Sequence, residues 1–542
     1  MNTSTHRPQP TKNLGLKAFL FVLLVTVCSI SVWIIGKKEP WKIEASAAPS
    51  MVYGTPIIIH NPTPAVSDGF GISAIDGNVF IVGADADDTG ATDAGSAYLY
   101  DATTGNLLQT FNNPIPADTD IFGSSVSISG DKVLIGASFD DTGATNAGSA
   151  YLYDATTGAL LHTFNNPTPA WEDYFGRSVS ISGDKVLIGA FGEEYIAEIV
   201  APDAGSAYLY DATTGALLQT FNNPTPVAYD RFGTSISISG DKALIGTPLD
   251  DTGATDAGSA YLYDATTGAL LQTFNNPTPA AADKFGYSVS ISGDKVLIGA
   301  ISDDTGATDA GSAYLYDATT GALLQTFNNP TPILGNPLFG RSVSISGDKV
   351  LIGATGDGSG GSAFLYDATT GALLHTFNDP TPAAPDVFGV SVSISGDKVV
   401  IGATGDGTKA YNSGSAHLYL LQNDTDGDGL ADSVDNCPAD VNVDQADTDS
   451  DGQGNVCDFT PNGDMDGDGV DELADNCPGI ANPGQEDADA DGIGNVCDPT
   501  PNGDPDPDPT DIDQCKNVGW MDYAFSNQGQ CVSFVNTGHD SR

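Results

Sequence analysis

The chain has 542 residues, enough for several domains, and its 71 acidic against 19 basic residues give a net charge of −52. That balance excludes nucleic acid as a partner, because phosphate binding is built from basic patches. It points instead to multivalent cations as the counterpart of so many carboxylates.

In chain order, Arg7, Lys12 and Lys17 precede an apolar run from Ala18 to Ile35. A basic lead before an apolar core is an export signal. The small residues Ala45–Ala48 offer a cleavage site after Ala47. Residues 1–47 read first as a cleaved signal peptide. The alternative is a retained anchor, since 18 apolar residues reach the lower edge of a membrane span. Membrane attachment is expected only through that uncleaved anchor.

From residue 51 to 422 the sequence repeats. The pair Phe-Gly recurs seven times, at Phe70, Phe122, Phe175, Phe232, Phe285, Phe339 and Phe388, spaced by 49 to 57 residues. A period near 50 is that of a propeller or another repeat array. In the third unit, Arg177–Ser182 alternates polar and apolar residues, and Lys185–Ala190 is a short apolar run. Ser206–Asp211 and Leu217–Phe221 follow, and Gly and Asp stand in the intervening turns. These are the marks of four antiparallel strands, here a, b, c and d.

Seven units carry strands a, b and c, but only six carry d. The segment Pro56–Pro64 matches strand d and its tail in spacing, and it precedes the first Phe-Gly. It is expected to supply the outer strand of the last blade, closing the ring and removing an exposed edge. The fold class is therefore all-β: a seven-bladed β-propeller closed by an N-terminal strand, then a coreless calcium-binding segment. An open β-solenoid is the alternative, although solenoid repeats are usually shorter.

The run Phe175–Ala190 resembles the FG-GAP repeat, the unit of the integrin α-chain propeller, and all seven units carry a version of it. The resemblance implies the fold more firmly than a function. Integrin-type repeats often hold calcium between their first two strands. Here that connection is only Ser-Gly-Asp-Lys, or Ile75–Asn78 in the first unit, with too few carboxylates for a cage. Gly205–Phe221 is also similar to repeats of pyrroloquinoline-quinone dehydrogenases, but those propellers are usually eight-bladed.

Strand directions place the a–b and c–d turns on one face and the b–c and d–a loops on the other. The first set barely changes between units, whereas the second set varies. Rigid scaffolds present variable loops for binding. Aromatic and Arg side chains make good interface anchors, so Trp171, Tyr174, Glu193, Tyr195, Tyr229 and Arg231 form the expected recognition face. An Asp two residues before Phe, absent only at Pro337, is expected to cap a turn. No nucleophile–base constellation is visible, and the chain is expected not to be an enzyme.

Residues 423–513 hold 27 of the acids and no Lys or Arg. Four twelve-residue frames place Asp at positions 1, 3, 5 and 12 with Gly at 6. They are Asp424, Asp426, Asp428 and Asp435; Asp447, Asp449, Asp451 and Asp458; Asp464, Asp466, Asp468 and Asp475; and Asp487, Asp489, Asp491 and Asp498. Calcium takes six to eight hard oxygens, and a Gly at the sixth place allows the sharp turn. Position 12 is Asp rather than the Glu of an EF-hand, and no apolar helices flank the loops. Cysteines stand at fixed places instead.

This segment, 423–500, resembles two thrombospondin type 3 repeats. The resemblance implies bound calcium and the disulfides Cys437–Cys457 and Cys477–Cys497. An Asp/Pro linker (501–513) and a small module (514–542) bracketed by Cys515 and Cys531 complete the chain. An even cysteine set in a coreless segment reads as disulfides in an oxidising compartment.

The expected function is that of a secreted or cell-surface calcium-binding protein. Its propeller would recognise an extracellular protein or glycan. The alternatives are a propeller hydrolase, a quinone-dependent oxidoreductase, or a purely structural matrix component. A convergent Arg or His/Glu/Asp cluster at the channel mouth would favour an enzyme, and uniform Ser/Val walls would count against one.

Overall fold

The computed structural model describes residues 50–499 apart from 194, 197, 198, 201, 332–336, 359 and 383–385, together with 501, 502 and 516. The expected leader and, but for Lys516, the C-terminal module with Cys515 and Cys531 lie outside the described residues. So does the linker after 502. Among the described residues no helix is long and apolar enough to cross a membrane.

Each Phe-Gly unit builds one antiparallel sheet in the order a-b-c-d. In blade 2 the strands are Phe122–Ser129, Lys132–Ala137, Ser149–Asp154 and Leu160–Asn165. Seven such sheets form the ring. Blade 7 contains Phe388–Ser395, Lys398–Ala403 and Ser415–Asp424, and the N-terminal residues complete it. Ile57–His60 pairs antiparallel with Ser415–Leu418, the closure that the missing seventh copy requires. A second strand, Ser50–Tyr53, extends the pairing along Leu421–Asp424 and was not legible in the sequence.

The core sits between blades rather than within them. One cluster joins Ile81, Leu99 and Phe111 of blade 1 to Phe122, Val126, Ile135 and Tyr151 of blade 2. The closing cluster joins Ile59, Val400 and Leu418 to Phe70, Phe80 and Tyr98. The repeated Phe of Phe-Gly is therefore an inter-blade wedge, fully buried in each blade.

The glycines are fixed by the same contact. A Cβ on Gly136 of strand b would stand 2.0 Å from the carbonyl oxygen of Gly176 in the next blade. Gly148, at φ +83°, would put one 2.1 Å from the Phe175 oxygen. Backbones touch there, and no other residue fits.

Strand a of each blade is an inner edge, with backbone N–H groups that no further strand can take. Serines from the preceding blade take them. Ile181 N–H donates to Ser127 Oγ at 3.1 Å and Gly183 N–H to Ser129 Oγ at 3.1 Å. Across the closure, Ile75 and Gly77 donate to Ser393 and Ser395 at 3.0 Å. The Ser-x-Ser alternation of strand a thus joins neighbouring inner edges around the channel.

The invariant face is also scaffold. Lys185 pairs with Asp241 of the following blade at 2.6 Å, and Lys242, Lys295 and Lys349 pair likewise with Asp294, Asp348 and Asp397. On the outer strand Gln109 Nε2 donates to Thr156 O at 3.1 Å. His162, which replaces that Gln, lies 3.1 Å from Thr213 O.

Candidate functional site

The four acidic frames fold as four loops. The position 1, 3 and 5 carboxylates converge in each, with one oxygen per residue lying within 4.8 Å of the others: Asp424–Asp426–Asp428, Asp447–Asp449–Asp451, Asp464–Asp466–Asp468 and Asp487–Asp489–Asp491. The position 1 carboxylate sets the turn. Asp424 accepts the N–H of Gly427 at 2.7 Å and of Gly429 at 3.2 Å, and Asp464 holds Gly467 and Gly469 in the same way.

Position 12 stands outside the converging triad. Asp435 accepts the Cys437 N–H and Gln445 Nε2, both at 2.8 Å, and Asp475 does the same with Cys477 and Gln485. It still faces the site. Desolvation and then the charges of Asp428, Asp435 and Asp424 push the Asp426 carboxyl above its usual range. Asp449 and Asp466 are raised for the same reasons.

Buried oxygens without a hydrogen-bond partner mark where a cation would fit: Asp426 Oδ2, Asp458 Oδ2 and both oxygens of Asp466. A buried carboxylate oxygen without a donor is unfavourable unless a cation meets it. Hard oxygens at this spacing suit a calcium-like ion.

Disulfides Cys437–Cys457 and Cys477–Cys497 tie successive loops together. Around them the packing is polar. Asn442 Nδ2 donates to Asn436 Oδ1 at 2.6 Å, and Gln445 Nε2 to Asn442 Oδ1 at 2.9 Å.

On the propeller's variable face, Trp171 and Tyr229 are exposed. Tyr174 stacks on Phe191 with ring centroids 5.0 Å apart and leans on Phe139 at 5.3 Å. The Arg231 guanidinium lies over Phe191 at 5.5 Å. The rings of Phe139, Tyr174 and Phe191 make an aromatic strip over blades 2 and 3, capped by Arg231 of blade 4. Tyr195 falls in a short extra hairpin, Tyr195–Ile196 against Ile199–Val200.

Glu193 needs correction. It is only 3% exposed and lies beneath the face, accepting Tyr208 Oη at 3.0 Å and Thr168 Oγ1 at 2.9 Å. It replaces the Asp that accepts the same Tyr in other blades, such as Asp140 under Tyr151 at 2.7 Å. Burial, and then Asp173, push Glu193 up to about 7.

The Asp before Phe-Gly closes the d–a loop. Asp120 accepts Asn113 Nδ2 and the Ala117 N–H, both at 2.7 Å.

Sequence reasoning missed the turn around Phe-Gly itself. The residue after Phe-Gly donates its N–H to the residue before Phe, as Arg177 does to Tyr174 at 3.0 Å and Arg341 to Leu338 at 3.0 Å. The residue before Phe takes a positive φ, at Tyr174, Arg231, Lys284 and Leu338 among others. The turn thus displays one residue on each side of a buried Phe. The signal was present: the position after Phe-Gly reads Ile72, Ser124, Arg177, Thr234, Tyr287, Arg341 and Val390 across the seven blades. Its neighbours barely change.

Several of these residues line the channel mouth, a cavity of about 490 Å³ bounded by Ile72, Asp85, Ser124, Arg177, Arg341 and Val390, among others. Arg341 Nη1 donates to Tyr287 Oη at 3.4 Å. Burial pushes Asp85 up to about 6, against the opposing effect of Arg177.

The class is thus a closed seven-bladed propeller joined to a disulfide-tied segment of acidic loops. Residues 116–153, 169–210, 226–263, 278–316, 335–366 and 380–419 match the FG-GAP repeat, and residues 422–445 and 446–485 match the thrombospondin type 3 repeat. The chain is an FG-GAP-repeat propeller protein with thrombospondin type 3 repeats. Its first blade, Phe70–Asn112, lies outside the matched stretches yet forms the same sheet. No curated protein matches the chain in sequence. Among solved structures, that of the computationally designed Ika8 protein is similar over 68% of this chain and 100% of its own, at 15% identity and a TM-score of 0.38, too weak a likeness to argue from.

Proposed function

We propose that the protein is exported and works outside the cell as a calcium-binding adhesion or recognition protein. The propeller presents the recognition face, and the acidic segment is a stalk that calcium stiffens. The observation that carries this reading is the set of four loops whose carboxylates converge, with buried oxygens unmatched in the first three. The two disulfides support an oxidising compartment. The concentration of variation on one face of a rigid ring supports recognition there.

The test is a screen of the full chain against extracellular glycans and proteins, with and without calcium. Recognition predicts a saturable ligand that Trp171→Ala or Tyr229→Ala weakens. A screen that recovers nothing under either condition favours a purely architectural role.

One observation favours an enzyme as a second reading: Asp85, with its raised pKa, shares the channel mouth with Arg177 and Arg341. A polar acid beside two cations can move a proton. The Ser-lined inner strands below the mouth offer no second catalytic partner. Turnover of an extracellular ester, glycoside or quinone-linked substrate that Asp85→Asn abolishes would establish it.

A further inference from the structure

The propeller's basic residues are sorted by face. Lys132, Lys185, Lys242, Lys295 and Lys349 stand on the invariant face in ion pairs with Asp, and Lys398 there donates to Asn78 Oδ1. The remaining propeller cations are Arg177, Arg231, Lys284, Arg341 and Lys409. The first four of these occupy the variable positions of the Phe-Gly turns in blades 3 to 6, and no acid occupies either position in any blade. In a chain of net charge −52, four cations gathered at one set of turns are a local concentration of positive charge.

Two of these cations line the same cavity. Arg177 comes from blade 3 and Arg341 from blade 6, on opposite sides of the ring, and both line the mouth of the channel. Neither has an ion pair within 4.0 Å among the described residues. Arg341 is steadied by Tyr287.

The rest of the wall is rich in hydrogen-bonding groups, including Ser124, Thr404 and Asn412, and Asp85 is its one acid among the described residues. Guanidinium groups bind carboxylates through paired, charge-assisted hydrogen bonds, and hydroxyl and amide groups bind sugar hydroxyls. The cavity volume falls within the range of small-molecule sites, roughly 300–1,000 Å³.

We propose that the channel mouth is a binding site for a carboxylated sugar, a uronic-acid residue of an acidic glycan. Arg177 and Arg341 hold its carboxylate, and Ser124, Thr404 and Asn412 meet its hydroxyls. The aromatic strip at Tyr174 and Phe191 lies beside Arg177 and offers a flat surface for the adjoining sugar. The proposal rests on the variable face being the propeller's binding face, and it names the ligand chemistry of that face.

The test titrates the calcium-loaded full chain with methyl β-glucuronide, with methyl β-glucoside and with sulfate, read by ligand-observed NMR and calorimetry. The two sugars differ at the carboxylate alone. The glucuronide should bind saturably and compete with sulfate, and the glucoside should bind at least tenfold more weakly. Arg177→Gln and Arg341→Gln should each weaken the glucuronide about tenfold or more with the melting temperature unchanged. Both side chains are away from the cores, so the folded state serves as its own control.

Equal binding of both sugars, or affinity unchanged in both Arg variants, overturns the proposal. Sulfate bound as tightly as the glucuronide overturns the sugar-specific part. Glucuronide binding that falls with Trp171→Ala but not with the Arg variants overturns the pocket and leaves the recognition face standing. If no glycan or protein binds in the wider screen either, the recognition reading itself fails.

Discussion

The propeller and the acidic segment offset the entropy of ordering a chain in opposite ways. The propeller wedges fully buried Phe, Leu, Ile and Tyr between every pair of blades, so apolar burial carries it. The buried apolar residues of the acidic segment among those described are Ala431, Cys437 and Cys477, while Phe459 is 93% exposed and Leu473 81%. Its order rests on covalent ties and hydrogen bonds, and on calcium under the proposed function. Under the proposed function, one chain joins a body packed without metal to an extension that metal orders. A perturbation of either should leave the other nearly untouched.

The largest expected effect is on ring closure. Deleting residues 50–61 removes both N-terminal strands that pair with Ser415–Asp424 and takes Ile59 from the closing core. The exposed strand edge should cost the propeller its single cooperative melting transition and promote self-association, seen by calorimetry and light scattering. A monomer with an unchanged melting temperature would break the account of closure.

Next, Phe175→Ala opens a cavity between blades 2 and 3 and should destabilise the propeller by about 3–5 kcal/mol in denaturant unfolding. The calcium response of the loops should not change.

Replacing Cys437 and Cys457 together by Ser releases a loop of 20-residue separation. The loss, on the order of 3 kcal/mol, should appear as weaker calcium affinity in the first repeat. The propeller's melting temperature should stay where it was.

The smallest effects are those of pH within the propeller. Glu193 is raised to about 7 in the folded chain, so the folded state binds its proton more tightly than the unfolded state does. Stability from this group therefore falls as pH rises from about 4.5 to 7. Glu193→Gln should raise the melting temperature at pH 7.5, with an advantage that shrinks toward pH 5.

His417 has the opposite sign. Burial lowers it to about 4, so stability is lost as pH falls from about 6.5 toward 4. His417→Tyr, which restores the residue of blades 1 to 5, should gain most in that acidic window. Melting curves of the two variants against pH separate the contributions.

Most of the scaffold was legible because it is written seven times. The Phe-Gly spacing set the blade count, and the missing d strand predicted closure from the other end. Strand Ser50–Tyr53 was not legible, because it pairs with the extension of Ser415–Asp424 past the repeat length and has no counterpart in other blades.

Glu193 was misplaced for a related reason. The lengthened loop after it hides its equivalence to the buried Asp140. The acidic loops were readable in frame, since Asp spacing alone brings positions 1, 3 and 5 together. Position 12 was harder, because Asp435 is held by Cys437 and Gln445, which lie past the end of the twelve-residue frame.

The channel mouth was invisible for another reason. Arg177 and Arg341 are far apart in sequence, and only the ring brings blades 3 and 6 to one cavity.

The measurement that tests the central claim most directly is a calcium titration of the full chain, followed by small-angle scattering and by calorimetry of the propeller transition. Calcium should shorten and stiffen the acidic segment, with several ions bound, while the propeller transition stays in place. A chain whose dimensions do not respond to calcium, or whose propeller unfolds when calcium is chelated, would contradict that claim.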